Sequence, residues 1–272
     1  MEDYYFMGNK VKQAIILAGG KGTRLSEQTK SIPKPLVKVG NLPIIAHIIN
    51  HLVNHGVEEI VIAGGYKVEM IRDYFTSDSY RYQSAIEITP EGTTSINDMT
   101  LQKGLKRLVV ADTGLSTGTA QRIKRASDYL SEPGSPFYMT YGDSVSDVPL
   151  NEVEELHSLS EHILTLTAVQ YQERFGILKV DSENSNEITK FAEKSMSTDE
   201  FINGGFMILD PEVVNEIYED DDDFSHDTLP RLQQKGLINA YIHKGFWAAM
   251  DTQRDCEELN KLYDQKPHLF SS

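Results

Sequence analysis

Three places in this chain combine residue types suited to phosphate chemistry. The first is Leu17-Ala-Gly-Gly-Lys-Gly-Thr-Arg-Leu25, followed by Pro33-Lys34-Pro35. Glycines at 19, 20 and 22 let backbone N–H groups approach a ligand with no side chain in the way. Successive N–H groups of this kind form an anion-binding concavity. Thr23 adds a hydroxyl, and Arg24 and Lys34 add fixed positive charge suited to phosphates. The spacing is neither the G-x-x-x-x-G-K-[ST] of a Walker A loop nor G-x-G-x-x-G. The other two places are Asp143 and Asp251. Asp143 follows the apolar run 137–141, at the end of a candidate strand. Asp251 lies between an aromatic stretch and the start of a candidate helix. Both positions can bring a carboxylate to one mouth, where one or two carboxylates plus phosphates and waters suffice for Mg²⁺. Each has an ordinary alternative, a turn residue for Asp143 and a helix N-cap for Asp251.

These residues need elements to position them. The run 14–18, closed by two glycines, reads as a buried parallel strand entering a tight loop. Pro43 opens a segment with Ile44, Ile45, Ile48, Ile49, Leu52 and Val53 at helical spacing, and Gly56 suits its end. Further strands are expected at 59–63, 107–111, 137–141 and 162–169, alternating with helices at 67–75, 119–130 and 151–159. Such alternation predicts a parallel sheet with right-handed crossovers, and ligands bind at the C-terminal ends of such strands. Later segments change character, with strands expected at 176–180, 187–192, 201–209 and 238–242 and helices at 211–218, 228–234 and 252–265. His47, His51 and His55 share one stripe, read as a partly solvated helix face. The run Glu219-Asp-Asp-Asp-Asp223 reads as a solvated acidic loop, since consecutive residues cannot all converge on one ion.

The chain has 272 residues, enough for an ordinary hydrophobic core. Its formal charge of −15 argues against nucleic acid as a partner and against a polybasic membrane anchor. It leaves room for small anions, because a site can gather a few cations locally. A single cysteine, Cys256, excludes an internal disulfide and a Cys-based zinc site, and is read as a packing residue. No run approaches the length of a membrane span, and the expectation is a cytoplasmic protein.

The segment 17–25 with Pro-Lys-Pro resembles the signature of sugar-1-phosphate nucleotidyltransferases. The likeness runs from about residue 12 to 255. It includes Gly64-Gly-Tyr-Lys67, Asp112-Thr-Gly114, Arg122-Ile-Lys-Arg125, Arg174-Phe-Gly176, Asn203-Gly-Gly-Phe206 and Met250-Asp-Thr252. Thr140-Tyr-Gly-Asp143 and Gly245-Phe-Trp247, in this order, resemble the cytidylyl branch. The resemblance implies a Rossmann-like mixed, mostly parallel sheet flanked by helices, with a small β-rich acceptor-binding insertion. It implies one domain over 1–272, with a nucleotide-binding half at 12–150, an acceptor-binding half at 151–250 and a C-terminal helix at 251–272. Leu17, Ala18, Gly19, Gly20, Lys21, Gly22, Thr23, Arg24, Lys34, Thr117, Arg122 and Gly142 would bind the nucleotide. Lys34 and Arg24 would stabilise charge during transfer, and Asp143 and Asp251 would hold Mg²⁺. Glu193, Lys194, Asn203 and Gly204 would contact the acceptor.

The activity implied is transfer of CMP from CTP to a sugar 1-phosphate, with α-D-glucose 1-phosphate as acceptor, by a homo-oligomer. Two departures leave other readings open. The family's Thr-Gly-Gly-Arg is Thr119-Ala-Gln-Arg122 here, where Gln121 is placed to hydrogen-bond a base, as a glutamine does in thymidylyl enzymes; a uridylyl or thymidylyl transferase stays open. The proline expected after Glu193-Lys194 is Ser195, which leaves a polyol phosphate or another hexose phosphate open as acceptor. A catalytically silent nucleotide-sugar sensor is the reading from another class. The Tyr-rich stretch 74–82 suits an interface or a flap.

Overall fold

In a computed structural model, which describes residues 10–25, 29–76, 85–88, 104–172, 177–180, 187–192, 196–219 and 223–270, the first apolar run is strand β1 (Gln13–Ala18). Every one of its residues is buried. Ala14, Ile16 and Ala18 pack into one core layer, and Ile15 and Leu17 into another. This is the two-residue alternation of a strand covered on both faces, which is why the sequence shows an unbroken apolar run.

The chain continues through 3₁₀ turns at Thr23–Leu25 and Lys34–Leu36, the short strands β2 (Lys38–Val39) and β3 (Leu42–Pro43), and helix α1 (Ile44–Asn54). Strand β4 (Glu59–Gly64), helix α2 (Val68–Phe75), strands β5 (Ala85–Ile88) and β6 (Arg107–Asp112), helix α3 (Thr119–Ser127) and strand β7 (Phe137–Tyr141) follow. Then come β8 (Ser144–Ser146), α4 (Leu150–Ser158), β9 (Leu164–Gln172), β10 (Ile177–Val180), β11 (Ile188–Ala192), β12 (Met196–Asn203) and β13 (Met207–Leu209). The chain closes with α5 (Pro211–Asn215), a π-helical turn (Phe224–Thr228), α6 (Leu229–Gln234), β14 (Ile238–His243), β15 (Trp247–Ala249), α7 (Gln253–Gln265) and a 3₁₀ turn (Pro267–Phe270).

Among the described residues the main sheet runs β12-β9-β13-β7-β1-β4-β6-β5, with β14 also paired to β9. Its centre, β7-β1-β4-β6, is parallel, as the strand–helix alternation predicts. Strands β5, β13 and β12 join antiparallel, and β10 with β11 forms a separate antiparallel pair in the β-rich half. One core layer holds α1, α2, α4 and α7, and the other holds α3, α5 and α6. No helix among the described residues is long and apolar enough to cross a membrane.

Several expectations change. The single strand expected over 201–209 is two strands, broken where Gly205 (φ 76°) and Phe206 (φ 45°) turn left-handed. The Asn203 carboxamide oxygen accepts the Gly205 N–H at 3.0 Å across that turn. The helix expected over 211–218 stops at Asn215. The histidine stripe is mostly buried, since His47 and His51 are only 4% and 3% exposed and His55 alone of the three is half-buried. The His47 ring lies edge-on to both Tyr263 and Phe270, which return from the C-terminus to cover α1, and the His51 ring meets Phe206. No group of three metal-ligating side chains forms there or elsewhere among the described residues. Cys256 is buried, as expected of a packing residue.

Asp251 is not a helix cap. Thr252 caps α7, in a capping box whose Asp255 carboxylate accepts the N–H groups of Thr252 at 2.8 Å and Asp251 at 3.0 Å. The cap therefore fixes the Asp251 backbone and leaves its carboxylate to other partners. Thr252→Ala should lower stability by about 1 kcal/mol. A urea unfolding midpoint unchanged from wild type would show that the box does not hold this end.

Candidate active site

Asp143 and Asp251 come from opposite ends of the chain's second half, and a short ladder brings them together. Strands β8 and β15 pair antiparallel, with Ser144 opposite Ala249 and Ser146 opposite Trp247. The ladder extends one step further, because Met250 N–H donates to the Asp143 carbonyl at 2.9 Å. Both carboxylates then meet the Lys34 ammonium. Nζ donates to Asp143 Oδ2 at 2.6 Å and to Asp251 Oδ1 at 2.8 Å. Arg24 Nη1 reaches Asp251 Oδ2 at 3.3 Å from a more exposed position. Burial alone would pull the Lys34 ammonium down, but the two carboxylates outweigh it and hold its pKa above the ordinary lysine value. The contribution of the lysine is therefore complete at neutral pH and is lost as pH rises through the raised value.

Lys34 is delivered by a 3₁₀ turn between two buried prolines, Pro33 and Pro35, whose rings fix φ. The glycine loop is stapled beside it. Gly22 has φ 59°, and a Cβ there would meet the Thr29 methyl at 3.1 Å and Lys34 Cβ at 3.2 Å. The Thr29 hydroxyl donates to the carbonyls of Gly22 and Leu25. The Gly-Gly-Tyr-Lys turn after β4 closes over this segment. Tyr66 N–H donates to the Gly19 carbonyl, and Lys67 Nζ to the Lys30 carbonyl.

One cavity results. Among residues expected to bind nucleotide, Leu17, Ala18, Gly20, Gly22, Thr23, Arg24, Lys34 and Gly142 line it, together with both aspartates. Pro35 lines it too, a residue that the sequence marked only as a flank of Lys34. Lys21 is exposed nearby on the loop. Gly19, Thr117 and Arg122 are not in the wall.

Arg122 instead lies beneath the loop, 4% exposed. Its Nη1 donates to the Gly64 carbonyl at 2.7 Å and the Thr113 hydroxyl at 2.6 Å. Its Nη2 donates to the Thr117 carbonyl at 2.7 Å and the Gly19 carbonyl at 3.4 Å. Burial lowers its pKa, but a guanidinium remains charged. This single side chain ties together the ends of β1, β4 and β6. It also explains Gly19, where a Cβ would fall about 2.0 Å from the guanidinium. Two neighbours of Arg122 in that segment, one of them a departure from the family pattern, are also bonded within the protein. Gln121 donates its amide to the Tyr218 carbonyl, and the Thr119 hydroxyl accepts Phe224 N–H. In this arrangement the Gln121 amide N–H has a protein partner.

Among the residues expected to contact the acceptor, Gly204 sits where a Cβ would meet Val169 at 2.8 Å, and its carbonyl accepts the Trp247 indole N–H at 2.7 Å. Asn203 Nδ2 reaches the Tyr141 hydroxyl at 3.4 Å, and that hydroxyl lies 3.3 Å from Ser225 Oγ. Tyr141 is thus a link between Asn203 and the strand leading to Asp143 that sequence reasoning missed. Asp147 is another, since its carboxylate accepts Phe246 N–H at 2.7 Å and meets His243 Nε2 at 2.9 Å, holding the turn that enters β15. Glu193, Lys194, Ser195 and the Arg174-Phe-Gly176 segment lie outside the described residues, as does residue 77 onward of the Tyr-rich stretch. The acidic run is partly structural, because Asp223 caps the π-helical turn by accepting from Ser225 and His226 N–H.

The donor set suits a hard divalent cation. Two carboxylates converge on one ammonium, a stand-in cation at 2.6 and 2.8 Å. A pair of carboxylates leaves room for phosphates and water to complete the coordination.

A glycine-rich loop, a fixed lysine and two aspartates thus share one cavity at the C-terminal edge of a parallel sheet, on a fold shared with nucleotidyltransferases. The chain belongs to the Nucleotidyl transferase family, whose sequence pattern matches residues 13–266. It is 35% identical over 253 residues to glucose-1-phosphate cytidylyltransferase of Salmonella typhimurium, covering 93% of this chain and 96% of that protein. It is 30% identical to mannose-1-phosphate guanyltransferase of Saccharomyces cerevisiae, over 92% of this chain and 64% of that one. In fold it is similar to HddC from Yersinia pseudotuberculosis, with TM-score 0.64 at 23% identity, covering 93% of this chain and all of the other.

Arg122→Ala should remove the tie beneath the loop and cost about 2–4 kcal/mol in denaturant unfolding, since hydrogen bonds to a buried charge are lost. Arg122→Lys should restore little of this, because an ammonium cannot span the same carbonyls. Full rescue by lysine would show that charge alone, and not the planar fork, organises these strand ends.

Proposed function

We propose that this protein transfers CMP from CTP to a sugar 1-phosphate, with α-D-glucose 1-phosphate as the acceptor, and releases a CDP-sugar and pyrophosphate. The observation that carries the reading is the convergence of Lys34 on Asp143 and Asp251 in the wall of the glycine-loop cavity. The similarity to a glucose-1-phosphate cytidylyltransferase over nearly the full length supports the choice of nucleotide and acceptor. The hydrogen bond from Gln121 to the Tyr218 carbonyl gives the side chain that argued for a thymidylyl-type base contact a partner within the protein, which supports the cytidylyl reading.

The chemistry follows from charge. A phosphate oxygen of the acceptor attacks the α-phosphorus of the triphosphate, a new P–O bond forms, and the bond to the β-phosphate bridging oxygen breaks. The attacking phosphate is already ionised, so the protein need supply neither a nucleophile nor a general base. Negative charge grows on the α-phosphate and on the departing pyrophosphate. Lys34 stabilises the first, and Arg24 with the amides near Gly20 and Gly22 stabilises the second. Asp143 and Asp251 would hold Mg²⁺, which supplies neutralisation of the triphosphate and orients its α-phosphate. Asn203 and the Gly204 turn are the described residues that would contact the acceptor.

A pyrophosphate-release screen crossing CTP, UTP, dTTP, GTP and ATP with a panel of sugar and polyol phosphates tests this. CTP with glucose 1-phosphate should be the fastest pair. Another base or acceptor leading the panel would replace the substrate assignment, and no release from any pair would favour a nucleotide-sugar sensor. Lys34→Ala should lower kcat by about 100-fold or more, the scale for losing one preorganised charge-stabilising group. Turnover near wild type would sink the role given to Lys34.

A further inference from the structure

The reading above asks Lys34 to face a phosphate, yet in the free protein its ammonium is committed to both aspartates. Its side chain is only 11% exposed, and its ammonium meets two carboxylate oxygens, at 2.6 and 2.8 Å. Those carboxylates are also the donors open to a divalent metal, which sits about 2.0–2.1 Å from each ligand oxygen. An ion on Asp143 Oδ2 would therefore lie within about 5 Å of Nζ. The carboxylates are about one-third exposed, so water screens the two positive charges only in part. Arg24 is a weaker rival, because it is largely exposed and meets Asp251 at 3.3 Å.

We propose that Lys34 is an internal counter-cation that competes with the divalent metal for Asp143 and Asp251, so that metal and nucleotide bind cooperatively. This rests on the proposed nucleotidyl transfer. The backbone of Lys34 is pinned by Pro33 and Pro35, while its four-carbon stem is free to re-aim the ammonium. An arriving triphosphate offers that ammonium a new anion. Once the ammonium turns to it, the aspartates are released to a cation. The pair stays neutralised in both conditions, and the protein does not hold metal firmly before nucleotide is present. By linkage, each ligand tightens the other by the same factor.

The test measures Mn²⁺ binding to the full-length protein without nucleotide, by electron paramagnetic resonance of the free ion. Lys34→Gln should bind Mn²⁺ more tightly than wild type, by a factor in the roughly 5- to 150-fold range of coupled sites. The gain should disappear in Lys34→Gln combined with Asp143→Asn, which assigns it to this carboxylate pair. Lys34→Met, followed by the rise in melting temperature that Mn²⁺ produces, repeats the measurement with a second neutral side chain. Equal Mn²⁺ affinity in wild type and both neutral variants would overturn the proposal, as would a gain that survives Asp143→Asn. Since no nucleotide is present, this outcome is separate from the pyrophosphate screen. A silent screen with tighter Mn²⁺ binding would remove the reaction and keep the competition.

Discussion

Two carboxylates held side by side in a half-buried cavity repel each other, and this site exists because a cation is placed between them. Lys34 supplies it, and much of the surrounding structure serves that one arrangement. The β8–β15 ladder aligns the backbones of Asp143 and Asp251. The capping box of α7 fixes the second aspartate from the other side. Two prolines hold the lysine at a set height. Each device is local and inexpensive, but together they join segments that lie far apart in sequence.

Beneath this pair runs a second cationic device of a different kind. The Arg122 guanidinium is buried and spends its donors on the carbonyls that close β1 and β4, on the loop carbonyl of Thr117 and on the Thr113 hydroxyl. A buried charge without partners is severely unfavourable, so these carbonyls and the guanidinium fix one another. The acidic chain thus uses its cations economically. Lys34 and Arg24 face the cavity, whereas Arg122 organises the floor under it.

The centre of the fold was legible in the sequence because its signals are local. The apolar run ending in glycines, the Pro-led helix and the strand–helix alternation each need only a short window. The glycine loop and both aspartates were legible for the same reason. What escaped depends on distant partners. Three-residue strands such as β8 and β15 are too short to show a period, and their pairing joins opposite ends of the second half. The burial of His47 depends on Tyr263 and Phe270, which no window around residue 47 contains. The break at Gly204–Phe206 does not show in the apolar pattern, which reads as one strand; only the resemblance of Asn203-Gly-Gly205 to a turn in relatives points to it. For Arg122, resemblance gave the position but not the side of the loop on which the guanidinium lies.

The Gly19 geometry gives the loop motif a second meaning. Its missing side chain is required from below, by the guanidinium that would otherwise be struck. Gly20, one residue on, has nothing within 4 Å of its missing Cβ and opens onto the cavity. Two adjacent identical letters therefore obey unrelated rules. The first records the shape of the protein's interior, and the second is available to record the shape of what enters. A string that looks like one instruction is the seam where a foundation meets a doorway, and a change to either letter would be felt in a different room.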